Sequence, residues 1–261
     1  MLIGKPGEGR TAIAHADAAG VEVRGRDLVR DLMGRLTFTE YFHLLVTGRT
    51  PTAEQRFFLD LLLVAIAEHG LVPTAIAARM TYDAAPNALQ GAVAAGILGA
   101  GTVVLGTAEL CAVALADAAA RLQAGAAPTA AAEATARAIH ARGEKMPGFG
   151  HPLHTPVDPR AERILALAAE HGVAGRHCDL ARRFTPAVAA IWKPLPMNVS
   201  MPIAAVLLDL DFPAAMVKAI PLLARTAGLL AHLAEEQERP IGFLMAAKAE
   251  EAIAYDGDAK A

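Results

Sequence analysis

From Ala84 to Ala108 the chain runs without a charged residue. Such a run must leave water, and only a bilayer or a protein interior will take it. It is long enough to cross a membrane, but it is mostly alanine and glycine, with Pro86, Asn87 and Gln90 near its start. Small residues gain little from hydrocarbon and let helices approach closely. The expectation is a buried helix pair or a subunit interface, with no membrane span. Aromatic residues make up only 5% of the 261 residues and alanine dominates, which favours helix over sheet. With 54% apolar and 20% charged residues the chain can bury a core, and disorder is excluded. Lys+Arg 24 against Asp+Glu 27 leaves a net charge of −3, so no basic surplus points to a nucleic-acid partner. Cys111 and Cys178 are too few to staple a chain of this length. They fit a reducing cytoplasm, and the opening MLIGKPGEGRTAIAHADAAG has no apolar stretch of the kind a secretion signal needs.

Periodicity and end signals place the helices. Phe57, Leu61, Leu62, Ala65 and Ile66 follow helical spacing after Thr50-Pro51-Thr52-Ala53-Glu54, where threonine can cap, and Gly70 supplies a stop. Further helices are expected over Pro128 to Arg142, over Asp158 to His171 with Pro159 in the first turn, from about Asp211 to Glu236, and from Phe243 to Ile253. The candidate strands are Ala12 to Ala14 and Val21 to Arg24. This predicts an all-α chain with a minor N-terminal β element. The most irregular stretch, KMPGFGHPLHTPVDPR from Lys145 to Arg160, gathers Gly, Pro and His between two helices. A second break, KPLPMN from Lys193 to Asn198, precedes another helix.

Within the irregular stretch, Gly148 and Gly150 flank Phe149 and let backbone N–H groups approach a ligand. His151 then has the choices of acid, base or hydrogen-bond donor to a developing oxyanion, against the alternative of a turn histidine facing water. His154 invites a metal pair with His151, but Pro152 works against helical i, i+3 geometry and no thiol or carboxylate cluster supports it; no metal is expected. His69 ends an apolar helix, where the dipole alone would account for an imidazole. Arg225 sits in IPLLARTAGLLAHLAEE and calls for a buried anionic partner or ligand. Arginines such as Arg160, Arg225 and Arg239 are the natural readers of a polycarboxylate.

These residues fall in ordered motifs that together resemble the citrate synthase superfamily over nearly the whole chain. TAIAHADAAGVEVRGRDLVRDL resembles the family's N-terminal strand and Arg-Gly turn, and TFTEYFHLLVTGRTPT its F-x-E-x-x-x-L-L-x-x-G-x-x-P-T segment. AEHGLVPTAIAARM, MPGFGHPLHTPVDPRA and LLARTAGLLAHLAEEQERP resemble its A-[DE]-H-G, P-G-[FY]-G-H…D-P-R and Arg-helix segments. The resemblance implies a homodimer with shared active sites, each protomer having a large helical subdomain (1–102 and 212–261) and a small one (103–211). The two close over a coenzyme A thioester and a polycarboxylate. By position it implies that His151 contacts the oxygen at the bond made or broken and that His69 helps to hold the substrate. It places Arg160, Arg225 and Arg239 on carboxylates, Arg239 in the neighbouring subunit's site. The loop Met146, Pro147, Gly148, Phe149 and Gly150 falls where the family holds the coenzyme. Coenzyme A is then part of substrate and product, and no permanently bound cofactor is implied.

Two departures sharpen the expectation. The family's G-P-x-H-G-G histidine, which stabilises the acetyl-CoA enol, has no counterpart in GILGAGTVVLGTAEL, where Val104 or Leu105 stands in its place. The citryl-CoA lyase modules lack that histidine too. The family's N-V-D aspartate, which moves the α-proton, is replaced in Asn198-Val199-Ser200 by Ser200, a poor proton shuttle without an activating base. The leading expectation is a carbon–carbon lyase of citryl-CoA type giving acetyl-CoA and a 2-oxo acid such as oxaloacetate. The alternatives are a lyase or synthase for another 3-hydroxyacyl-CoA, and a catalytically weak acyl-CoA-binding relative. Asp83, Glu109, Ser200 with a water, or His154 are the candidates for the unassigned proton donor.

Overall fold

The computed structural model describes residues 9–257. Contacts divide the chain into two compact units, one up to Asp60 and one from Leu61 onward. In the first, β1 (Ala14–Asp17), β2 (Gly20–Val23) and β3 (Arg26–Asp27) form an antiparallel sheet in that order. Asp17 Oδ1 accepts the N–H groups of Ala19 and Gly20 and fixes the turn between β1 and β2. The first strand lies later than the expected Ala12 to Ala14, because this aspartate sets the register Asp17 to Gly20. A turn of π-helix (Leu28–Leu32), capped by Asp27, leads to α1 (Phe38–Thr47). Thr37 and Glu40 cap α1 reciprocally, and Gly48, with φ 75°, ends it. Val23, Leu32 and Leu44 form the buried cluster of this unit.

The helix α2 (Ala53–Ala67) opens with Thr52 accepting the N–H of Gln55 while Gln55 Oε1 accepts that of Thr52. The uncharged run is not one helix. It holds the end of α3 (Pro73–Ala84), all of α4 (Leu89–Leu98) and the turns before α5 (Thr107–Gln123). A Cβ on Gly96 of α4 would stand 2.6 Å from Leu229 Cδ1 and 2.8 Å from the Thr74 carbonyl oxygen, so glycine sets this close approach. The second unit continues with α6 (Pro128–Ala141), α7 (Pro159–Glu170), α8 (Arg176–Ile191) and α9 (Ser200–Asp209). At the centre, α9 packs against α5, α7 and α8 and is buried from Ser200 to Leu207.

The expected helix from Asp211 to Glu236 is instead a 3₁₀ turn (Ala214–Met216) followed by α10 (Ala219–Glu238). Asp211 adopts φ 57° and Phe212 is buried, so the chain turns before the helix starts. The span Ala214–Glu238 is long and apolar enough to cross a bilayer by length and composition. Here Leu229 and Leu233 of α10 pack instead on Ala75, Ala78 and Ala92 of α3 and α4. The last helix, α11 (Gly242–Ala252), is tied to α10 by Glu236, whose Oε1 accepts the N–H of Gly242 at 2.7 Å. Buried Arg79 on α3 donates to both Glu235 and Glu236 on α10.

Candidate active site

The loop from Met146 to His151 is positioned by strand-like pairing with the break before α9. Phe149 bridges Met197 antiparallel, Gly150 N–H donates to the Pro196 carbonyl at 2.7 Å, and Asn198 N–H donates to the Gly148 carbonyl at 2.8 Å. Asn198 Nδ2 adds a bond to the Gly150 carbonyl at 2.9 Å. Gly148, with φ 77°, is required twice over: a Cβ there would lie 2.7 Å from Cys111 Sγ and 2.8 Å from Met201 Cβ. The two sequence breaks are thus one structure, and it sets Ser200, the first residue of α9, beside the histidine loop.

His69 and His151, 82 positions apart in the sequence, have ring centroids 5.3 Å apart. His154 joins them, 4.3 Å from His151 and 5.5 Å from His69 by ring centroids, with Nε2 3.4 Å from Nε2 of His69. No helix does this: Pro152 keeps the chain irregular, and the His151 ring turns back to accept the N–H groups of Leu153 at 3.0 Å and His154 at 2.9 Å on Nδ1. That occupancy decides the tautomer. With Nδ1 accepting, neutral His151 carries its proton on Nε2 and presents a donor.

The same fact bears on metal binding. The three imidazoles bring one ring nitrogen each within 4.8 Å, a spacing a cation can span. A neutral His151 in this tautomer has no lone pair to give, and the neighbouring guanidinium groups repel a cation.

Those guanidinium groups are Arg160 and Arg225. Asp158, fully buried, caps α7 and grips Arg160 side-on, Nε to Oδ1 at 3.1 Å and Nη2 to Oδ2 at 2.9 Å. Its Oδ2 also accepts the N–H of Val199, which ties α7 to the start of α9. Burial opposes its ionisation, but the bonds from Arg160 and Val199 outweigh that and hold the Asp158 carboxyl below its usual range. Arg225 on α10 is 2% exposed, and its one bond is a long one of 3.4 Å to the Ile66 carbonyl. Among the described residues its Nε and Nη1 have no partner, and burial lowers its pKa against the pull of Glu68. An unpaired buried guanidinium is costly, and a bound anion relieves that cost.

Burial, then the positive charge of Arg160 and its neighbours, pushes the His69 pKa below 6.5. Burial, then His154 and Arg160, does the same to His151. Lowered pKa values keep His69 and His151 toward their neutral forms while Arg160 and Arg225 carry positive charge, which suits a polycarboxylate. Arg239 does not join it: it is exposed, pairs with Glu235 at 3.1 Å, and lies about 21 Å along the helix axis from Arg225 at ~1.5 Å per residue. Cys111 and Cys178 are free and buried, and burial pushes both thiols up, which removes them as nucleophiles.

Beside Lys145 and Pro147 a cleft of about 770 Å³ opens between α5 and α6. Val103, Leu110 and Val113 give it an apolar wall, with Lys145 at its edge.

The sequence matches "Citrate synthase, C-terminal domain" over residues 53–242, most of the chain. The chain belongs to the citrate synthase family. Among solved structures it is similar to citryl-CoA lyase from Hydrogenobacter thermophilus, with 28% identity, TM-score 0.77, and 87% of this chain and 86% of that one covered. It shares its fold with ATP citrate lyase from Methanothrix soehngenii, in complex with citrate and coenzyme A, at 20% identity and TM-score 0.75, covering 97% of this chain and 42% of that one. Citrate synthase from Thermotoga maritima shares it at 22% identity and TM-score 0.63, covering 78% and 55%. No curated protein sequence matches the chain. Family membership accounts for the all-α fold with its small N-terminal sheet.

For three side chains of the site the sequence shows the residue but not its partners. Asp158 carried a signal, an aspartate before proline at a helix start, but nothing local told of its grip on Arg160. His154 stands among the candidate proton donors, but its contact with His69 spans 85 positions and leaves no local sign. Glu68, the acidic residue of the A-[DE]-H-G segment, gives no sign in sequence of what its Oε1 does: it accepts the N–H groups of His69 at 2.8 Å and Gly70 at 2.6 Å and meets His232 Nε2 at 3.0 Å.

Proposed function

We propose that this protein is a carbon–carbon lyase for a CoA thioester, of citryl-CoA type, releasing acetyl-CoA and a 2-oxo acid such as oxaloacetate. The observation that carries the reading is the pairing of two features in one site. Arg225 is buried with two nitrogens unsatisfied, and His151 is locked as an Nε2–H donor. A tertiary alcohol flanked by carboxylates supplies what both lack. Arg225 and Arg160 take carboxylates, while His151 donates to the hydroxyl oxygen and then to the carbonyl that replaces it. His69 holds the same substrate from the other side. Because His151 Nε2 carries a proton, its part is to donate, and the hydroxyl proton must go elsewhere.

In this reading the thioester's coenzyme lies along Met146–Gly150, its nucleotide toward the cleft beside Lys145, and no other cofactor takes part. Residues 103–211 form the small subdomain against 1–102 and 212–261. Arg239, exposed and away from its own site, acts in that of a second copy. Exposed Leu98, outside that cleft, offers apolar surface for such a homodimer. Two unpaired cysteines accord with a cytoplasmic setting.

A second reading keeps the chemistry and changes the acyl group. Small Ser200 at the head of α9, with Val104 and Leu105 in place of a histidine, leaves room for a bulkier thioester. Purified protein mixed with citryl-CoA and a panel of 3-hydroxyacyl-CoAs, with products followed by mass spectrometry, separates the two. Turnover of citryl-CoA that His151→Ala abolishes supports the first, and turnover of another thioester alone supports the second. Tight binding of CoA esters with no turnover refutes both.

A further inference from the structure

The lyase reading leaves one proton without a carrier. Cleavage removes the proton of the substrate hydroxyl and later places a proton on the α-carbon. Each charged or titratable group around the three imidazoles can be asked whether it could move that proton. Asp158 is fully committed: Oδ1 takes the N–H and Nε of Arg160, and Oδ2 takes Arg160 Nη2 and the N–H of Val199. Glu68 Oε1 takes two backbone N–H groups and faces His232 Nε2. His232 is itself fixed there, since Arg79 Nε donates to its Nδ1 at 2.9 Å, which leaves Nε2 to donate to Glu68. Both carboxyls are held below their ordinary range by these bonds, although burial opposes it. Arg160 and Arg225 do not release protons near neutrality. Ser200 needs a base that it does not have. His151 is locked as a donor by the two N–H groups on its Nδ1.

That leaves the contact between His69 and His154. Their Nε2 atoms are 3.4 Å apart, so one nitrogen carries a hydrogen and the other receives it. The contact is at the long end of hydrogen bonding and gives way easily to a substrate hydroxyl. His69 is a poor resting place for an added proton, because burial, Arg160 and Arg225 all oppose the charge. The His154 ring lies 4.3 Å from that of His151 by centroids, tilted by 30°, so both imidazoles border the same space.

Resting on the lyase reading, we propose that His154 is the proton carrier of this site, sharing the role with His69 and replacing the carboxylate absent at Ser200. The step balances without any further reactant. The hydroxyl O–H proton passes to the unprotonated imidazole nitrogen. The bond between carbinol carbon and α-carbon breaks, and its electron pair moves onto the α-carbon and thioester oxygen as an enolate, while the carbinol becomes a ketone. The same proton then forms the new C–H bond at the α-carbon, and the imidazole is neutral again.

The test follows exchange of the α-hydrogens of acetyl-CoA with D₂O, in the presence of malate, a hydroxy dicarboxylate that cannot condense, alongside citryl-CoA cleavage. His154→Ala and His154→Gln should slow both by about 10²- to 10⁴-fold in kcat with KM little changed. Added imidazole should restore His154→Ala but not His154→Gln, whose side chain fills the space. The wild-type rate should fall on acidification, below about pH 6.5, as His69 takes up a proton, since burial and Arg160 lower its pKa from the usual 6.5. Exchange and cleavage that survive in His154→Ala within about threefold overturn the proposal and leave the lyase reading standing. Loss without rescue by imidazole overturns it too, since a ring that merely positions its neighbours would behave that way. A wild-type protein that neither exchanges acetyl-CoA hydrogens nor cleaves any 3-hydroxyacyl-CoA overturns both readings together.

Discussion

The backbone N–H of His154 donates to Nδ1 of His151 at 2.9 Å, so one histidine of the loop sets the tautomer of the other. A side chain that has four chemical roles open to it in sequence has one in the folded chain, that of Nε2–H donor. Nitrogen-15 NMR of the histidine rings should find His151 protonated on Nε2 and bare on Nδ1 at neutral pH. In the lyase reading, His151→Ala then removes an oxyanion donor and lowers kcat by about 10²- to 10³-fold with the helical CD spectrum unchanged.

Arg225 separates stability from function. Its guanidinium is buried with two nitrogens unpartnered, so Arg225→Leu should leave the urea midpoint of the empty protein unchanged or raise it. The same change should weaken binding of a dicarboxylate by about 10- to 100-fold, the worth of a hydrogen bond to a charged group. Calorimetric titration of wild type and variant reads both halves. A clear fall in the midpoint would show that Arg225 has a structural anion.

Acid should destabilise the empty protein through its site. His69 and His151 have folded pKa values below 6.5. Between the folded and unfolded values the unfolded chain binds more protons, so stability rises with pH across that window and is lost on acidification from near 6.5 downward. The urea midpoint at about pH 5.5 should therefore lie below that at about pH 7.5, by less in a His69→Gln/His151→Gln double variant.

Asp209 holds the start of α8. Its carboxylate accepts the N–H groups of Gly175 at 2.8 Å, His177 at 3.0 Å and Cys178 at 2.9 Å, and pairs with His177 Nδ1 at 2.8 Å. Asp209→Asn halves the accepting capacity of a buried group and should cost about 1–3 kcal/mol in urea unfolding.

Gly148→Ala should disable the loop. The left-handed φ costs about 1–2 kcal/mol in itself, and the added methyl meets Cys111 and Met201. Loss of cleavage activity together with a lower melting temperature is the expected result.

Helix by helix, the sequence was legible where the signals were local. Pro128 opens α6, Asp158 and Pro159 open α7, and Thr52 caps α2. The start signal of each sits at the helix end itself, and the apolar period runs on from it. α8 announced nothing, because its first residue follows Gly175 and its capping carboxylate is Asp209, 34 positions away. The turn at Asp211 and Phe212 was read as helix for the same reason: burial of Phe212 is a tertiary fact.

By itself the sequence determined that the chain would be helical, that its uncharged run would need cover from protein, and that the stretch from Lys145 to Arg160 would be an irregular one gathering Gly, Pro and His. Composition, periodicity and turn residues act over a few positions, and a single chain displays them in full. Only the tertiary structure decided that His69, 85 positions away, meets His154, that Asp158 is spent on Arg160 and Val199, and that Arg225 Nε and Nη1 find no partner among the described residues. Hydrogen-bond satisfaction depends on what lies across a few ångströms of space, and chain spacing carries no record of it.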